Sequence, residues 1–77
     1  MLTNRQAQIL RFLVTFKSGK GYPPSRAEIC KHFKFASPNA AQGVLVALEK
    51  KGAIKIIPHI ARGIQITNEG VNELRYA

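Results

Sequence analysis

The stretch SPNAAQGVLVALEKKG, residues 37–52, carries both ends of a helix in its own residues. Ser37 suits an N-cap, because its hydroxyl can accept from the free N–H groups of a first turn. Pro38 falls at the first helical position, where a missing N–H costs nothing. Gly52 follows Lys50 and Lys51, the pattern of a left-handed stop with cations at the negative end of the helix dipole. Ala41, Val44, Leu45 and Leu48 recur at i, i+3, i+4 and i+7 and form one apolar stripe. The other face carries Asn39, Ala40, Gln42, Gly43, Val46 and Lys50. Near its start that face has small and amide side chains instead of long charges, a surface suited to the edges of bases. The spacing predicts a recognition helix over 38–51, with the other segments positioning it.

Those segments read in order. Thr3 with Gln6 makes a capping box, and helical spacing predicts a first helix from Asn4 to Phe16, with Phe12 and Phe16 adding core bulk. The loop after it holds Gly19, Gly21, Pro23 and Pro24, with Tyr22 expected to pin it down. Ser25 with Glu28 makes a second capping box, opening a short helix that ends near His32 or Phe33. Lys34–Ala36 then leads straight into Ser37. Two capped helices joined by a tight turn predict a helix-turn-helix. Beyond Gly52, the β-branched runs 53–57 and 64–67 flank the loop 58–63 and predict a hairpin wing. The fold class expected is mainly α with a small β-hairpin: a winged helix-turn-helix of three helices and a two-stranded antiparallel wing, spanning 1–67. Residues 68–77 are expected to be a short tail or weak helix, because Gly70 disfavours helix and Val71 and Leu74 give little apolar face.

Charge narrows the partner. Net charge is +8, from 12 Lys and Arg against 4 Asp and Glu, in 77 residues. A basic body of this size points to a polyanion. The phosphate candidates are Ser25 and Arg26 at the start of the second helix, Lys31, Lys34, Lys50, Lys51 and Lys55, with His59 and Arg62 on the wing. Catalysis is not expected. Glu28 belongs to a cap, Glu49 lies among lysines, Glu69 and Glu73 lie in the tail, and Cys30, His32 and His59 lack nucleophile–base spacing. No cofactor, metal or small-molecule substrate is expected. Cys30 reads as a small core residue. With no long apolar run and no leader pattern at Met1–Phe12, the expected location is cytoplasmic.

The blocks TNRQAQILRFL, GYPPSRAEICKHFKFASPNAA, LEKKGAIKII and ARGIQIT resemble, with matching spacing, the N-terminal DNA-binding domain of the LexA repressors. PPSRAEI together with SPNAA is the specific part of the match. The resemblance implies a sequence-specific transcriptional repressor that binds operator DNA as a symmetric pair, its third helix in the major groove. Base-reading positions carried over by motif are Ser37, Asn39, Ala40, Gln42 and Gly43. Gln42 and Gly43 depart from the family, which usually has acidic residues there; a carboxylate accepts from cytosine N4, whereas Gln pairs with adenine N6 and N7. Val46 departs as well, where a polar residue is usual. The family's C-terminal peptidase half has no counterpart here, and the tail does not resemble its linker. Either an excised domain or a free-standing regulator fits; the tail favours the second, by analogy of phage or prophage type. Two alternatives stay open: a protein-interaction module that pairs or competes with a LexA-type repressor through Gly43–Leu48, and an architectural or excisionase-like DNA binder.

Overall fold

The computed structural model describes residues 2–75. They form α1 (Asn4–Lys20), α2 (Arg26–Phe33), α3 (Pro38–Lys50), β1 (Ile54–Ile56), β2 (Ile64–Ile66) and α4 (Asn68–Arg75). The strands pair antiparallel, Ile54 opposite Ile66 and Ile56 opposite Ile64. This is a winged helix-turn-helix with one further helix. Both capping boxes form: the Thr3 hydroxyl accepts from the Gln6 N–H, and the Ser25 hydroxyl from the Glu28 N–H, with both reciprocal bonds present. The core takes Ile9, Leu10 and Leu13 from α1, Ile29 from α2, and Ala41, Leu45 and Leu48 from α3. Ala53, Ile54 and Ile64 close it from the wing side. Each helix therefore buries the apolar stripe its periodicity marks, the arrangement that stabilises a domain of this size.

Three local expectations need correction. First, α1 does not end at Phe16. It runs a further turn through Gly19 and stops where Gly21, at φ 85°, takes the left-handed conformation and donates its N–H to the Lys17 carbonyl at 2.8 Å. Lys17 and Lys20 in the last turn complement the helix dipole there. Second, Ser37 stands at the N-cap of α3 with extended backbone, but its hydroxyl makes no capping bond. The Ala40 N–H, which such a hydroxyl would satisfy, donates to the Ser37 carbonyl at 3.1 Å instead. Third, the paired strands are shorter than the β-branched runs, three residues each.

The segment after the wing is ordered by contacts distant in sequence. Thr67 opens α4: its hydroxyl accepts from the Gly70 N–H at 3.0 Å and lies 2.6 Å and 2.9 Å from the Gly52 and Ala53 carbonyls. Gly70 is buried, and a Cβ there would sit 2.2 Å from the Ala53 carbonyl oxygen. The missing side chain lets α4 approach the turn that ends α3. Leu74 packs against the core, and α4 lies along α1. Tyr76 and Ala77, the end of the expected tail, lie outside the described residues.

Candidate nucleic-acid interface

Helix α3 is held by one face and open on the other. Ala41, Leu45 and Leu48 are fully buried, and Val44 packs against the core. Ser37, Asn39, Ala40 and Gly43 are exposed, and Gln42 is half-buried. Asn39, Gln42, Gly43 and Val46 share one helical stripe by their spacing. A Cβ at Gly43 would meet nothing within 4 Å, so the stripe is bare in its middle. Val46 is half-buried.

The start of α2 ties this helix to the wing. The Arg26 Nε–H donates to the Gln42 amide oxygen, joining a phosphate candidate to a base-reading candidate. Two residues on, Glu28 Oε1 accepts from the Ser25 backbone N–H at 2.9 Å and from Arg62 of the wing. The Ser25 N–H first, and then Arg62, hold the Glu28 carboxyl below the usual glutamate range. Arg62 also donates to the Pro23 carbonyl at 2.9 Å and lies over the Tyr22 ring, 4.5 Å from its centroid. Ser25, Arg26, Gln42 and Arg62 are thus brought together around one helix end. Arg62 is turned inward onto that end, although its side chain keeps partial exposure.

The other candidate cations are spread along the exposed surface. Lys31 lies in the last turn of α2, and Lys34 caps that helix at φ 57° within the turn to α3. Lys50 ends α3, while Lys51 donates to Gln6 Oε1 at 2.9 Å and so reaches the first turn of α1. Lys55 faces outward on β1, paired with Gln65. His59 is exposed at the wing tip with φ 64°. Cys30 packs against the core with its sulfur 3.6 Å from the Ser37 carbonyl oxygen. Two further residues support this surface, of which only Tyr22 is marked by its place in the sequence. Glu49, on α3, accepts from the Ile56 N–H at 2.8 Å and anchors the wing. Tyr22 is the platform for Arg62, and also packs edge-on to Phe16 with centroids 6.0 Å apart. Tyr22 thus packs as an aromatic beside two prolines is expected to, whereas the Glu49 bond to the wing has no local signal.

Among the described residues no group of three His, Cys, Asp or Glu side chains could hold a metal ion. No helix among them is long and apolar enough to cross a membrane. The family model for the LexA DNA binding domain matches residues 1–63. The chain belongs to the LexA DNA-binding domain family. Among curated relatives, it is 52% identical over 65 residues to the LexA repressor of Pseudomonas chlororaphis, covering 84% of this chain and 32% of that one. It is 49% identical over 73 residues to the LexA repressor of Shewanella piezotolerans, covering 95% and 35%. The LexA repressor of Halorhodospira halophila matches at 48% over 67 residues, covering 87% and 30%. The chain therefore spans about a third of the length of the relatives it matches. For this LexA-family domain, the open stripe of α3 and the junction at the start of α2 form the candidate DNA-facing surface.

Proposed function

We propose that this LexA-family domain is a sequence-specific, double-stranded DNA-binding transcriptional repressor. The exposed start of α3 enters the major groove with Ser37, Asn39, Ala40, Gln42 and Gly43 toward the bases. Ser25, Arg26, Lys31, Lys34, Lys50, Lys51 and Lys55 lie toward phosphates, with His59 and Arg62 on the wing. Two copies pair on a palindromic site, since a single domain of this size has few contacts with which to hold a half-site. No catalytic step is involved, and the place of action is the bacterial nucleoid. The observation that carries the reading is the composition of the open α3 face, small and amide side chains on a helix whose reverse packs on the core, in a chain of net charge +8.

The alternative of a protein-binding α3 has less surface to draw on, because Leu45 and Leu48 are buried and Val46 is half-buried. Selection of the chain's ligands from a pool of randomised duplexes tests the proposal. Enrichment of a two-fold symmetric sequence is expected. Recovery of DNA with no enriched sequence would contradict specific recognition, and no recovery at low salt would overturn DNA binding altogether.

A further inference from the structure

The bond between Arg26 and Gln42 joins two side chains that sequence places in separate helices. Its chemistry fixes the amide's orientation. A guanidinium carries five N–H donors and no acceptor, so the Gln42 oxygen must face Arg26 and the Gln42 amide nitrogen must face away. Neither that nitrogen nor the terminal nitrogens of Arg26 has another partner among the described residues. Both side chains are half-buried, which limits the other orientations open to them. Gly43 beside them adds no side chain to the stripe.

We infer that Arg26 is a specificity-determining residue, which acts by turning Gln42 so that its NH2, and not its oxygen, faces the base and favours guanine over adenine. A free glutamine reads adenine through two bonds, accepting from N6 and donating to N7. The oxygen has a second lone pair, but the bond to Arg26 fixes its direction, so the end of the amide turned away from Arg26 is the NH2 donor. Guanine presents two acceptors in the major groove, O6 and N7, and no donor on that edge. The Gln42 NH2 and the outer N–H groups of Arg26 match that pattern, whereas cytosine N4 and adenine N6 oppose donor to donor. The inference rests on the DNA-binding reading above and deepens it.

Selection from randomised duplexes, run in parallel with the 77-residue chain, Arg26→Ala and Gln42→Ala, tests it. Circular dichroism checks that all three are folded. The unsubstituted chain is expected to enrich guanine at one position of each half-site. Arg26→Ala releases the Gln42 oxygen, so adenine at that position should gain on guanine by about tenfold, within what one bidentate pair discriminates. Gln42→Ala should level the preference there and leave the other positions unchanged. The same guanine preference in the chain and in Arg26→Ala would overturn the inference alone, leaving Arg26 a phosphate contact. A pool from which the unsubstituted chain enriches no sequence would overturn the DNA reading and the inference together.

Discussion

Gly70 is where one residue decides whether the end of the chain docks. By propensity, Gly70→Ala should strengthen α4 by about 1 kcal/mol. The Ala53 carbonyl oxygen, 2.2 Å from where a Cβ would be, reverses the sign. Gly70→Ala is expected to destabilise the domain by about 1–3 kcal/mol, the usual cost of overpacking, as read from urea denaturation. Thr67→Val should cost about 1 kcal/mol by the same assay, through loss of the α4 cap. Reading residues alone treats Gly70 as a defect, because the opposing carbonyl lies elsewhere in the chain. Glu28 gives a pH dependence. Its folded pKa is lowered, so its contribution to stability is present above the ordinary glutamate value and is lost as pH falls through the folded value. The stability difference between the chain and Glu28→Gln should therefore shrink as the pH is lowered from neutral into that range. A difference that stays constant across it would contradict the coupling.

At the scale of elements, the wing is a hairpin of two three-residue strands, too short to hold itself. It is held from three sides: Ile54 and Ile64 in the core, the Glu49 carboxylate on the Ile56 N–H, and Arg62 on Glu28, Pro23 and Tyr22. Arg62→Ala should speed hydrogen exchange of the wing amides several-fold while leaving Ile9, Leu13 and Leu45 protected. Equal acceleration everywhere would mean that Arg62 supports the whole domain instead. Elements were legible where their signals are local: both capping boxes, the α3 stripe, and the left-handed stop at Gly52, φ 79°. The end of α1 was misplaced because Gly19 is tolerated on an exposed helix face, and only Gly21 forces the stop. Bonds such as Arg26 to Gln42 and Arg62 to Glu28 were not legible, because they depend on how α2 packs against α3 and the wing.

For the molecule as a whole, the family, the fold and the positive charge converge on a polyanion partner, while the base preference depends on a few side chains. About six phosphate contacts predict a slope near −5 in log affinity against log salt for B-DNA. A slope near zero by fluorescence anisotropy would show that the net charge of +8 is not used on DNA. The α3 face was legible as the open side of the helix because its buried reverse is periodic, whereas the posture of Gln42 on that face was not. Amide NMR of the labelled chain titrated with its selected duplex tests DNA docking through α3 most directly. The largest shift changes are expected on residues 37–43, 25–26 and 58–63, with residues 68–75 little changed. Perturbation centred on α4 and α1, with the start of α3 silent, would contradict it.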